Sequence, residues 1–181
     1  EFIELVNIGV AEVNLEEVKL IQTTVEGETE GVAYSFVTGK ITRLAPGEHV
    51  VVVENITAFL ERYGTADFVA GEWTGGLGNA GELITLTSGD ELIQQFRYDD
   101  GWYSTTDGGG FSLETVDVTA ATVRWGQAEG WGASQTPGGT PGRSKVRGDF
   151  NSDGRVNAQD IDLLHQAART QGPAMSFDLT N

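Results

Sequence analysis

The runs of alternating apolar and polar residues in this chain are all short, and several end at a glycine or a proline-glycine pair. "EFIELVNIG" runs to a turn at Gly9, and "VKLIQT" (18–23), "GVAYSFV" (31–37) and "GGGFSLETVD" (108–117) carry similar runs. In "LAPGEHVVVVEN" (44–55) the Pro46-Gly47 pair feeds a β-branched apolar stretch. "ELITLTSGDELIQQFRY" (82–98) sets two alternating runs on either side of Gly89-Asp90, a two-residue hairpin turn. "ATVRWG" (121–126) reads as the last strand. A period of two gives each strand one apolar face, and strands this short are stable only when several pair and pack. The expectation is an all-β fold, a sandwich of antiparallel sheets.

One helix interrupts the pattern. Asn55 reads as its N-cap, with a side-chain oxygen free to accept an amide of the first turn. "ITAFLERYG" follows, with Ile56, Phe59, Leu60 and Tyr63 on one face and Gly64 as the stop. Asn55-Ile56-Thr57 is also a glycosylation sequon, but the cap accounts for the asparagine without a eukaryotic secretory route. "WTGGLGNAGE" (73–82) lacks the Lys-Ser/Thr of a phosphate-binding loop, and no amphipathic helix follows it.

Charge narrows the partners. The 181 residues carry 27 acidic and 11 basic side chains, a net charge of -16. A surface so acidic repels phosphate backbones and anionic membranes, so no nucleic acid and no membrane insertion are expected. With no cysteine, disulfides and thiolate metal sites are excluded. No apolar run approaches transmembrane length. The chain opens at Glu1 without a signal-peptide pattern and reads as a piece of a longer protein.

"SQTPGGTPGRSK" (134–145) holds two Pro-Gly pairs and no hydrophobic periodicity, and reads as a domain end plus linker. Beyond it stands "DFNSDGRVNAQD" (149–160). Calcium takes six to eight oxygens, and a twelve-residue loop supplies them from positions 1, 3, 5, 7, 9 and 12. Those positions are Asp149, Asn151, Asp153, the Arg155 carbonyl, Asn157 and Asp160; Gly154 permits the turn, and Val156 pins the loop to a partner. "AQDIDLLHQAAR" then reads as a helix with Ile161, Leu164, His165 and Ala168 in one stripe.

Two resemblances emerge from these stretches. "EFIELVNIGVAEVNLEEVKL", "LAPGEHVVVVEN", "WTGGLGNAGELITLTSGDELIQQFRYDD", "GGGFSLE" and "WGASQTPGGTPG" resemble, in order, the segments of bacterial lamin-tail domains. The resemblance implies an immunoglobulin-like β-sandwich over residues 1–139, acting as a binding or tethering module, and it brings no catalytic residues. Members of that family usually carry a strand ahead of the E-F-[IV]-E-L segment, at which this chain begins. The calcium loop and helix resemble a dockerin repeat, and "FDLTN" (177–181) resembles the start of a second one. After a 140–147 linker, residues 148–181 are therefore expected to form a partial dockerin-like, EF-hand-like module. Ala158 and Gln159 stand where cellulosomal dockerins commonly carry Ser-Thr, a departure from the usual cohesin-binding pair.

No enzyme is expected. Acid pairs such as Glu4 with Glu54, or Asp99 with Asp100, are what any acidic chain offers, and His49 and His165 lack metal or triad spacing. Trp73, Trp102, Tyr103, Trp125 and Trp131 are the aromatics available for a sugar platform; Trp125 is expected in the core, and Trp102 and Tyr103, in the polar loop "DDGWYSTTDGGG", are the candidate ligand-binding pair. The combined expectation is a non-catalytic binding or tethering module of an exported bacterial protein, extracellular or at the cell surface, ordered by Ca2+. It would engage a protein partner or a neighbouring domain. The alternative is a carbohydrate-binding or accessory domain of a secreted hydrolase, with a polysaccharide as partner.

Overall fold

The computed structural model describes residues 1–142 and 158–170. The chain divides into two units, Glu1–Gly142 and Arg143–Asn181. The first is mostly β-strand, in several sheets whose pairings are antiparallel with one exception, and carries one α-helix.

A three-stranded sheet orders β1 (Phe2–Val6), β8 (His49–Val53) and β9 (Val69–Glu72), with β8 in the middle. A five-stranded sheet runs β10 (Thr74–Gly75), β6 (Val32–Ser35), β3 (Val18–Leu20), β11 (Leu83–Ser88), β12 (Glu91–Arg97). Three two-stranded ribbons complete the unit: β2 (Val13–Asn14) with β7 (Arg43–Leu44), β4 (Thr23–Val25) with β5 (Glu28–Glu30), and β13 (Phe111–Thr115) with β14 (Trp131–Pro137).

The four valines of β8 are each 0% exposed, which explains why that strand does not alternate. Val50 and Val52 belong to a core cluster that also holds Leu20, Val32, Phe36, Trp73 and Ile84, so the two large sheets share one core. Val51 and Val53, on the other face, pack with Phe59 and Val69 beneath helix α1 (Ile56–Tyr63). Helix α1 begins and ends where the sequence indicates. Asn55 accepts a hydrogen bond from the Ala58 amide at 2.8 Å, and Gly64 takes φ 75°. Phe2, Phe59 and Tyr63 lock it to β1 through edge-on ring contacts. Leu60 departs from its expected place on that face and is exposed.

Three further expectations are corrected. The sheets are not wholly antiparallel: β8 and β9 run parallel, because helix α1 carries the chain back to the same end of the sheet. Residues 121–126 are not a strand. Thr122–Gly126 forms a 3-10 helix, since no neighbouring strand offers its backbone a ladder. Ser134–Pro137, read as part of a domain end and linker, belongs to β14 and pairs with β13.

The stretch after β14 is bound in place. Tyr63 donates its hydroxyl proton to the Gly138 carbonyl at 2.7 Å, and the Gly142 amide donates to Glu4 Oε1 at 2.6 Å. A Cβ at Gly142 would sit 2.5 Å from the Phe68 ring. Residues 138–142 thus form a strap on the first unit, although the sequence places a linker from 140 onward; residues 143–147 lie outside the described residues.

The turn after β13 titrates in a defined direction. Asp117 accepts from both the hydroxyl and the amide of Thr119, at 2.7 and 2.8 Å, and these bonds hold its carboxyl below the usual aspartate range. A depressed folded value means the turn's stabilisation is present above the ordinary aspartate value and is lost as pH falls through the folded one. Carboxyl-carbon NMR titration is expected to place the Asp117 midpoint below that of an unstructured aspartate. Thr119→Val should move it up; an unmoved midpoint would contradict the assignment.

Candidate functional site

Of the predicted calcium ligands, Asp149, Asn151, Asp153, Arg155 and Asn157 lie outside the described residues. Asp160 lies within them, in the first turn of helix α2 (Ala158–Thr170). It is 1% exposed and interacts with a partner. A carboxylate in a helix's first turn is favoured by the amides that point out of that end. Withdrawing it so fully from water requires hydrogen-bond donors or a compensating cation. Of the stripe expected on this helix, Ile161 is 53% exposed and His165 is also exposed, while Leu164 is half-buried. Among the described residues no group of three or more His, Cys, Asp or Glu side chains is gathered that could hold a metal.

Trp102 and Tyr103 sit at the end of a 3-10 turn, Asp100–Trp102, capped by Asp99, whose carboxylate accepts from the Gly101 amide at 2.8 Å. Both side chains are half-buried, but they serve differently. The Tyr103 hydroxyl lies 2.9 Å from the Ala128 carbonyl and 2.7 Å from that of Trp131, so its single proton is spent inside the unit. Trp102 faces Trp131, with ring centroids 6.5 Å apart and planes tilted by 31°.

Trp131 is the hub of a cluster with Phe96, Trp102 and Trp125, a gathering that the sequence does not show. Its ring lies 5.1 Å from Phe96 of β12 and 5.8 Å from Trp125, and its indole N–H donates to the Trp125 carbonyl at 2.7 Å. Gly130 makes this approach possible, because a Cβ there would overlap the Arg124 carbonyl oxygen. Trp125 is thus half-buried in this cluster and lies outside the core that the sequence assigned it. Trp73, once a possible platform residue, is in the core at 6% exposure. Gln94 Nε2 and Trp125 Nε1 are buried and find no hydrogen-bond partner among the described residues.

Of the acids considered as pairs from sequence, Glu4 and Asp99 are engaged in structural bonds. Glu4 Oε1 takes the Gly142 amide and lies 3.1 Å from His49 Nδ1. Another acid joins two loops: Glu82 accepts from the Gly31 amide at 2.6 Å and from the Gly78 amide.

Comparison with known protein families, with curated proteins and with solved structures finds no match to this chain.

Proposed function

We propose that this chain is a non-catalytic attachment module of an exported bacterial protein. In this reading the first unit is an immunoglobulin-like sandwich of the lamin-tail type, which binds or spaces. The second unit is an EF-hand-like, dockerin-like element ordered by calcium. Asp149, Asn151, Asp153, the Arg155 carbonyl, Asn157 and Asp160 would hold the ion, and bound calcium would supply the positive charge that fixes the bend. The donor set suits it, being all oxygen and rich in carboxylate.

The observation that supports this reading is the near-complete burial of Asp160 at the start of helix α2. The twelfth position of such a loop is the one whose carboxylate turns back toward the ion. Extracellular modules of this kind bind at about 10⁻⁴–10⁻³ M, which matches calcium outside cells and supports an extracellular or cell-surface setting.

Isothermal titration of calcium into the wild type is expected to give saturable heats in that range. Asp149→Ala and Asp160→Asn should each remove them. Heats indistinguishable across the three proteins would end the calcium reading.

A further inference from the structure

Phe96, Trp102, Trp125 and Trp131 reach one place from four separate segments of the first unit. Their planes sort into two sets. Phe96 and Trp102 are each tilted against Trp131, by 34° and 31°. Trp125 meets both Phe96 and Trp131 edge-on, at 74° and 75°. All four residues are half-buried, so each keeps some surface toward solvent.

The spacing decides what kind of ligand can use them. Neighbouring centroids are 5.1 to 6.5 Å apart, so the rings touch one another. No room is left between them for a cation, which excludes an aromatic cage for quaternary ammonium groups. A ligand must lie on the cluster instead of inside it. Exposed polar side chains flank the rings in sequence: Asp99, Ser104, Gln127 and Glu129. An indole backed by other rings and flanked by polar neighbours fits a pyranose ring, whose C–H face stacks on a single indole while its hydroxyls meet hydrogen-bonding groups. The net charge of -16 rejects anionic polymers.

We propose that this cluster is a stacking platform for neutral polysaccharide, with Trp102 as its principal contact. The proposal names a ligand for the binding module described above and rests on that reading of the first unit. Tyr103 is not a contact, because its hydroxyl is already bonded within the unit.

Native gel electrophoresis through hydroxyethyl cellulose, xyloglucan or laminarin tests it, with EDTA present throughout a parallel set. The wild type is expected to be retarded by at least one of the three, equally with and without EDTA. Trp102→Ala should weaken retention about tenfold or more, Trp102→Phe should keep most of it, and Val10→Ser, remote from the rings in sequence and fully exposed, should leave it unchanged. The EDTA arm separates this site from the calcium reading, which it would abolish without touching the platform. Should Trp102→Ala fail to fold, acrylamide quenching of wild-type tryptophan fluorescence replaces it, and the retarding polysaccharide must reduce that quenching. No retardation by any of the three polymers, retention unaltered in Trp102→Ala, retention lost in EDTA, or unaltered quenching would each overturn the proposal.

Discussion

Replacing Phe36 by alanine is expected to lower the unfolding free energy of the first unit by about 3–5 kcal/mol. Phe36 is 0% exposed and follows β6 at the point where that strand gives way to a 3-10 turn. Its ring meets Tyr34 edge-on, with centroids 4.9 Å apart and planes at 88°. Tyr34 cannot move into the vacated space without leaving a close fit of its own, against Gly39 and Gly71; a Cβ at Gly71 would sit 2.9 Å from the tyrosine ring. The cavity therefore stays largely open, and the cost includes both the lost transfer energy and the unfilled volume. Phe36→Leu refills most of that volume and should cost less than about 1.5 kcal/mol. Urea unfolding followed by circular dichroism measures both. A loss under about 1 kcal/mol for alanine would show that the site collapses, and would contradict its placement at the centre of the core.

The second large effect is expected at Gly81. Its φ is 103°, a conformation that an L side chain rarely adopts, and a Cβ there would overlap the Tyr98 carbonyl oxygen and lie 3.1 Å from Asp99 Cα. Both obstacles are backbone, so neither can rotate aside. The loop is also closely tied. Glu82 holds the Gly31 and Gly78 amides, and the Tyr98 hydroxyl donates to the Gly78 carbonyl at 2.7 Å. Burial, helped by the Glu82 carboxylate, pushes the Tyr98 phenol well above its ordinary value, so it stays a donor at neutral pH. Gly81→Ala should cost about 3 kcal/mol or more, combining dihedral strain with overpacking. Gly47→Ala is the matched comparison. Its φ is 77°, but nothing lies within 4 Å of the added carbon, so it should cost about 1 kcal/mol from strain alone. Equal losses at the two positions would mean that the Gly81 loop rearranges freely.

What could be read from sequence was local. The cap at Asn55, the stop at Gly64 and the hairpin turn at Gly89-Asp90 each follow from a few adjacent residues, and the structure has all three. The β-branched run at 50–53 announced a strand, but not that helix α1 would return the chain parallel to it. Thr122 and Val123 carry strand propensity that nothing nearby exploits, and the segment winds into a 3-10 helix instead. The aromatic cluster was half visible. Trp102 stands out in a polar loop, whereas nothing adjacent in sequence marks Trp131 as the residue that joins the others. Its importance comes from Phe96 and Trp125, which sequence separation hides. The proposed calcium loop is the reverse case: its spacing is plain in the residues, and Asp160 alone among the proposed ligands is described in three dimensions.

The strap at 138–142 has a mechanical consequence. Glu4 and Gly142 are joined although 138 positions separate them, and Tyr63 holds Gly138 close by in sequence. A pull applied between the first strand and Gly142 strains those two bonds and the Phe68 contact before anything else. The sheets behind them feel the tension only after the strap has peeled away, so the first unit has a sacrificial fastening that yields ahead of its core.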